Sequence, residues 1–409
     1  MKVPALWRNR DYMLLWSGQV VSTLGSSMSL IVFPLLILAL TGSPFAAGIA
    51  GALFMIPYVV FSLPAGALVD RWNRKRVMIV CDVVRAVAFL TIPAAWLFDL
   101  LTVWQLYAVA LIEGTGFVFF NIAEVAALPR VVPKSQLPEA TAQNMSTWFV
   151  ASLIGPGLGG ALYQGVGRVV PFLVDAVSYG LSAFSLLFIR TGFQGDRSVD
   201  VDRDLRAEIG QGIRWLWNRP LLRFIAFITG GINAAASALP LVIIVLAKNA
   251  GADDATVGLI FSIGAIGGIV GSIVGGTIQR RFTYGQVTIG SVWLLALMTP
   301  LYALTQNVIL FGVISAVSSI TFPVYSVVQM SYRLPLIPDE LQGRVNSVFR
   351  LIAFGFQPLG ATLGGILLEW TDPITTVLVV SAGFVGLAVA VTLSADVRNA
   401  PRHTEEQLA

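Results

Sequence analysis

The chain has 409 residues, of which 56% are hydrophobic and only 12% charged, with a formal net charge of +4. An average soluble domain carries roughly 25% charged residues, so lipid rather than water is the expected solvent for this surface. A lone Cys81 and a lone His403 exclude an internal disulfide and a cysteine- or histidine-based metal cluster, and the absence of any Gly-Lys pair excludes a G-x-x-x-x-G-K-[ST] phosphate loop and an ATPase built on it.

A membrane-crossing helix needs about 20 apolar residues, and stretches of that length recur along the whole chain. Predicted spans 1 to 6 cover 12–40, 45–69, 77–98, 103–128, 143–164 and 169–190; spans 7 to 12 cover 221–247, 256–279, 286–305, 308–331, 347–369 and 374–394. The expected fold is an all-α membrane protein of twelve transmembrane helices. It divides into an N-terminal six-helix bundle (1–190), a cytoplasmic linker (191–220), a C-terminal six-helix bundle (221–396) and a polar tail (397–409). The first apolar run is too long for a signal-peptide core and meets another span at once, so span 1 is expected to stay in the mature protein.

Span 2 runs into Gly66-Ala67-Leu68-Val69-Asp70-Arg71-Trp72-Asn73-Arg74-Lys75-Arg76. This stretch resembles the loop between helices 2 and 3 of the major facilitator superfamily, G-x-L-x-D-R-x-x-R-[KR], and the resemblance extends over the chain. It implies two parallel-related six-helix bundles with a substrate site between them near the midplane, and a conformational gate at Gly66, Asp70, Arg71 and Arg74. A carboxylate among basic groups at a helix end can be bonded in one state and released in another. A plain positive-inside loop would account for Arg71, Arg74, Lys75 and Arg76 but not for Gly66 and Asp70.

Charges at bilayer depth cost several kcal/mol unless paired or wetted, so those inside spans are functional candidates. In span 3, Asp82 and Arg85 have the spacing of a same-face ion pair, expected to be structural and wired to Asp70. In span 4, Glu113 and Glu124 lie close to three turns apart, about 16 Å along one face, with Phe117, Phe120 and Asn121 between them. Helix 4 lines the cavity in the superfamily, so the resemblance implies a stripe suited to a bulky amphipathic substrate. Glu113 reads either as a proton carrier or as a carboxyl hydrogen-bonded between helices, and both readings stay open. Many superfamily exporters carry a relay arginine in helix 4; none occurs between Trp104 and Leu128, and Arg85 is the candidate substitute.

Span 5 contains Gly155-Pro156-Gly157-Leu158-Gly159-Gly160, similar to the G-P-x-x-G-G element of superfamily exporters, in which proline bends the helix and glycines flatten it. Asp175 in span 6 is a further proton-coupling candidate, placed nearer the outer end. The stretches Leu128–Pro133 and Phe172–Ala176 look most like the branch with macrolide-type drug exporters and enterobactin-type siderophore exporters. In the linker, Leu205, Ile209, Ile213, Leu216 and Trp217 repeat at helical spacing, which predicts an amphipathic helix on the membrane surface. Phe322 and Tyr325 in span 10 join Phe117 and Phe120 as candidate cavity aromatics.

A shift of 205 residues aligns Pro133 with Pro338, Gly155 with Gly360, and Gly159-Gly160 with Gly364-Gly365, which reads as a tandem duplication of six spans. The second copy of the gate loop, Gly275-Gly276-Thr277-Ile278-Gln279-Arg280-Arg281, has no carboxylate. Small residues four apart (Ser62/Gly66, Gly155/Gly159, Gly267/Gly271/Gly275 and Gly360/Gly364) read either as sliding surfaces or as static helix packing.

Of the 26 Lys and Arg, all but Arg85, Arg168 and Lys248 lie at the termini, in the loops after even-numbered spans or at the span ends bordering those loops, which places both termini in the cytoplasm. The expected protein is a multi-pass component of a prokaryotic inner membrane and not an enzyme. It works as a monomer with no nucleic acid, metal or bound cofactor, exporting a small amphipathic compound by proton antiport and alternating access. An importer or lipid transporter of the same fold, or a receptor that no longer transports, are the rival readings.

Overall fold

The computed structural model describes residues 5–194 and 205–400. His403, most of the tail and the middle of the linker lie outside the described residues. The helices of the described residues make 12 candidate membrane spans. In the first half α1 (Arg10–Thr41), α2 (Pro44–Arg71), α3 (Arg74–Leu97), α4 (Val103–Val131), α5 (Leu137–Gly165) and α6 (Val170–Leu187) supply one each. A short α7 (Leu205–Trp217) precedes α8 (Pro220–Asn249), α9 (Asp254–Arg281) and α10 (Tyr284–Met298), the last continuing as a 3-10 turn to Ala303. α11 (Val308–Ser319) and α12 (Thr321–Arg333) share a span, as do α13 (Gln342–Gly355) and α14 (Gln357–Trp370), and α15 (Pro373–Leu393) is the twelfth.

Proline explains both interrupted spans. Pro323 and Pro358 lack the N–H that would bond back to Ser319 and Phe354, so the ladder fails there. The amides of Ile320 and Phe356 turn to Ser318 and Phe354 instead. Helix starts are set by side chains that take up free amides: Asn9, Asn73, Thr102 and Asp372 each accept one or two, and Thr283 forms a reciprocal capping box with Gln286. Gly42, at φ +64°, ends α1 in the left-handed region and leaves a short turn before α2.

The spans are turned inside out relative to a soluble helix. On α3, Met78, Asp82, Arg85, Phe89 and Ile92 are buried while Val80, Val83, Val84, Val87 and Leu90 are exposed. An apolar stripe faces outward and the charges face other helices, which is the arrangement lipid requires.

The contacts divide the described residues into two compact units. One holds 5–42, 53–194 and 253–259; the other holds 43–52, 205–252 and 260–400. Each unit thus includes the first turns of a helix, α9 or α2, whose remainder belongs to the other. In the N-terminal unit α1 packs on α5 and α6, and α3 on α4 and α6, with Tyr12, Leu15, Val69, Met78, Phe120 and Ala127 in its apolar core. In the C-terminal unit α8 packs on α13, α14 and α15, and α10 on α12 and α15. One core centres on Ile225, Val345 and Phe349, another on Val292, Phe384 and Ala388.

The linker helix α7 is docked rather than lying free. Gly212 lets the Arg344 carbonyl of α13 approach, Arg344 Nη1 donates to Gln211 Oε1 at 2.6 Å, and Leu216 is buried, while Ile213 and Trp217 stay exposed. Three of the four small-residue rows pack inside single units: Gly155 and Gly159 against Ser27 and Met28 of α1, Gly360 and Gly364 against Ala234 and Ala238 of α8, and Gly267 and Gly271 against Ala316 and Ile320 at the end of α11.

The duplication has two registers. α5 and α13 begin at Leu137 and Gln342, 205 residues apart, but α2 and α9 begin at Pro44 and Asp254, and α3 and α10 at Arg74 and Tyr284, 210 apart. The second copy of span 3 is shorter, 20 residues (Tyr284–Ala303) against 24, and the turn after it is shorter too, which absorbs the difference.

Candidate functional site

Among the described residues the buried charged side chains are Asp82, Arg85, Glu113, Asp175 and Arg333, and the first four lie in the N-terminal unit. Arg85 starts near the middle of α3, about 17 Å from its first residue. Its guanidinium crosses to α4, where Nε donates to Glu113 Oε2 at 2.8 Å and Nη2 to Glu113 Oε1, a bidentate pair. Nη2 also meets the hydroxyl of Tyr179 on α6, which donates to Glu113 Oε1 at 2.9 Å and is itself 2.7 Å from Ser26 Oγ on α1. Four helices therefore converge on one cation.

Glycines make the convergence possible. A Cβ at Gly116 would stand 2.6 Å from Arg85 Cδ, so the arginine stem runs through space that any larger residue would fill. A Cβ at Gly25 would stand 2.5 Å from both Asp175 Oδ1 and Ser178 Oγ, so α1 approaches α6 only where α1 has no side chain.

The carboxylates are not equally served. Asp175 accepts from Ser29 Oγ and, at 3.2 Å, from Ser178 Oγ. Asp82 Oδ1 lies 3.8 Å from Arg85 Nη1, a loose pair, with the Ser182 hydroxyl of α6 as its other polar neighbour. The expected Asp82–Arg85 pair is thus the weaker of two: the strong partner is Glu113, because the guanidinium extends across to α4 rather than along α3. Asp70 pairs with Arg74 rather than joining the Asp82–Arg85 pair. One guanidinium stands among three buried carboxylates, and burial of uncompensated charge is costly. The site therefore has room for further positive charge, a proton or a cationic group of a substrate.

The remaining α4 candidates do not form one stripe. Phe120 packs into the N-terminal core, whereas Phe117 is exposed and lies 6.4 Å from the Phe54 ring, and Asn121 is exposed. Glu124 is half-buried and accepts from Asn144 Nδ2 at 3.4 Å, apart from the Arg85 cluster. In the C-terminal unit Phe322 is exposed, while Tyr325 is buried with its hydroxyl 2.7 Å from Thr229 Oγ1.

The loop after α2 is fastened to the ends of α4 and α6. Arg74 bonds Asp70 at 3.0 Å and donates to the carbonyls of Ala126 (2.9 Å) and Phe193 (3.3 Å). Gln194 returns bonds to the carbonyls of Asp70 and Trp72, and Lys75 Nζ caps the end of α6 at Leu187 and Ile189. Arg71 is exposed, and Gly66 has no atom within 4 Å of where a Cβ would stand, so the glycine makes no close packing in this conformation. In the span 5 element, Gly155 and Gly159 face α1, while Pro156 and Gly160 face the first turns of α9.

Sequence reasoning missed Tyr179, Ser26, Ser29 and Ser178. The signal was present on α6, where Asp175, Ser178, Tyr179 and Ser182 fall on one helical face at intervals of three and four.

Twelve spans with charges directed inward and apolar residues outward define a polytopic membrane protein with a polar site enclosed by its own helices. The family model of the Major Facilitator Superfamily matches residues 15–349 and 224–408, and the chain belongs to that transporter superfamily. Among curated relatives, the "Multidrug efflux pump Tap" of Mycolicibacterium fortuitum is 26% identical over 382 residues, covering 89% of this chain and 91% of the relative. "Macrolide efflux protein A" of Streptococcus pyogenes is 25% identical over 373 residues, covering 89% and 90%. Among solved structures, a bacterial homologue of the iron transporter ferroportin in an inward-facing state superposes with a TM-score of 0.73 at 17% identity, covering 95% of this chain and 98% of that one. The nucleoside transporter NupG gives a TM-score of 0.69 at 14% identity, covering 95% and 97%.

Proposed function

We propose that this protein exports a small amphipathic compound, drug-like or macrolide-like, from the cytoplasm in exchange for protons, through alternating access. The observation that carries this reading is the Arg85–Glu113–Tyr179 cluster, at mid-membrane depth beside Asp82 and Asp175. A carboxylate surplus in a buried site needs a counter-charge, and a proton taken from one side and given up to the other supplies it in turn. Glu113 is the group best placed to alternate between the Arg85 ion pair and a protonated form, with Tyr179 completing either arrangement because its hydroxyl can donate or accept. The names of the relatives support efflux as the direction and drugs as the cargo.

The fastened loop after α2 acts as the gate: Arg74 and Asp70 let go when the ends of α4 and α6 part. Both termini lie in the cytoplasm, the protein works as a monomer in the cell membrane, and it needs no cofactor besides the proton gradient. Expression in a drug-sensitive bacterium should lower accumulation of erythromycin or ethidium, an uncoupler should abolish the effect, and Glu113→Gln should do the same without lowering the amount of protein in the membrane. Accumulation unchanged across a broad panel of amphipathic compounds would overturn the reading.

A further inference from the structure

The buried cation of the C-terminal unit, Arg333, meets no counter-charge among the described residues. It is the last residue of α12, is 4% exposed, and ends span 10 at the membrane face that both termini share. Its Cζ stands 3.7 Å from the centre of the Phe349 ring on α13, while Nε and Nη1 are buried and donate to no atom of the chain. The described ion pairs all lie in the N-terminal unit. The charged neighbour of Arg333 is a second cation, the exposed Arg350 of α13, and its polar neighbours Tyr284 and Tyr325 are phenols, uncharged at neutral pH. One turn earlier on α12, Gln329 is 5% exposed and its Nε2 is also buried without a partner. Residues four apart share a helix face, so the idle amide and the idle guanidinium project from the same side of α12.

The other buried arginine shows what is missing, since Arg85 is held by both oxygens of Glu113. Nor does the fold ask for a cation at this position. In the 205-residue register the counterpart of Arg333 is Leu128, which packs against the apolar core of the N-terminal unit. The Phe349 ring and the negative end of the α12 dipole both favour a positive charge, yet they leave Nε and Nη1 without an acceptor. A guanidinium does not shed its proton to escape burial. The partner it lacks is therefore an acceptor that is also an anion.

We propose that Arg333, with Gln329 and Arg350, binds a phosphate group that enters beside α12 and α13 from the membrane face of the termini. Phosphate offers several acceptor oxygens together with negative charge, which suits a forked donor, an amide and a second cation. Free phosphate and the headgroup of an anionic lipid carry the same chemistry, and basic pockets between spans near this face suit lipid headgroups. The site belongs to the C-terminal unit alone and depends on neither the cargo nor the proton coupling proposed above.

The test follows thermal unfolding of the full-length protein in phosphatidylcholine nanodiscs. Inorganic phosphate is added in one arm and phosphatidylglycerol is blended into the disc in the other, with sodium chloride at equal ionic strength as reference. At least one of the two should raise the unfolding temperature. A rise with inorganic phosphate identifies the free anion as a ligand, and a rise with phosphatidylglycerol alone identifies the lipid headgroup. Arg333→Leu, which copies Leu128, should raise the half-saturating concentration at least about tenfold, as expected for lost hydrogen bonds to a charged group. Without added anion the same variant should unfold no lower than the parent, because it removes an uncompensated buried charge. Arg333→Lys, which keeps the charge but not the fork, should weaken binding about threefold to tenfold, and Gln329→Leu about threefold. Lys134→Gln, which removes an exposed cation from the loop after span 4, should stay within about twofold of the parent. Stabilisation by neither anion, or equal stabilisation of Arg333→Leu, would overturn the proposal because no phosphate would be bound at Arg333. Unfolding of Arg333→Leu well below the parent without anion would also overturn it, because the chain itself would then be satisfying the cation.

Discussion

The two units share a duplicated architecture and differ in what they bury. With the two registers of the repeat, Asp82 and Arg85 correspond to Val292 and Leu295, Glu113 to Ser318, and Asp175 and Tyr179 to Val380 and Phe384. Val292, Val380 and Phe384 are buried in an apolar core against which Leu295 packs. The same fold positions therefore hold an ion-pair cluster in one unit and an oily contact in the other. The apolar version shows that packing alone satisfies the fold, so the charges in the N-terminal unit are not needed to build a bundle. Buried ion pairs are weak evidence for stability and expensive to leave incomplete, which fits the coupling role proposed for the cluster.

Replacing residues of one unit by their counterparts from the other tests this division. Arg85→Leu, which copies Leu295, strands three carboxylates and should cost about 3–5 kcal/mol in reversible unfolding from mixed micelles. Adding Glu113→Leu should recover a large part of that loss while export stays abolished. If Arg85→Leu alone were neutral, the cluster would not be the buried charge pair described. Gly116→Ala pushes a methyl into the arginine stem and should cost about 1–3 kcal/mol, with Arg85→Leu relieving the clash in a double-mutant cycle. Tyr179→Phe, which copies Phe384, removes a hydroxyl shared by Arg85, Glu113 and Ser26, and should cost about 1 kcal/mol with a larger proportional loss of export than of stability. The reciprocal Phe384→Tyr buries an extra hydroxyl in an apolar core and should destabilise by a similar amount without changing export.

The sequence already disclosed the twelve spans and the intramembrane charges, because lipid imposes composition and length directly on the chain. Partner choice was less legible. Asp82 and Arg85 are three apart on one helix and read as a pair, yet Glu113 holds the guanidinium, since contacts across helices depend on rotations that one helix's pattern does not encode. Phe120 read as a cavity residue and packs in the core for the same reason. The 205-residue register was visible where prolines and glycines were kept, in the loop before span 5 and in span 5; the 210-residue register of the first three helices showed only in the altered copy of the loop after span 2 and emerges from the helix starts.

The central claim of the proposed function is that Glu113, paired with Arg85, couples substrate movement to proton exchange. Purified protein in lipid vesicles, loaded with a luminal pH dye and given an acidic lumen, should take up erythromycin or ethidium against its concentration gradient while the lumen becomes more alkaline. Glu113→Gln should abolish both signals together. Uptake that persists in Glu113→Gln with an unchanged proton flux, or wild-type uptake with no proton movement at all, would contradict the account.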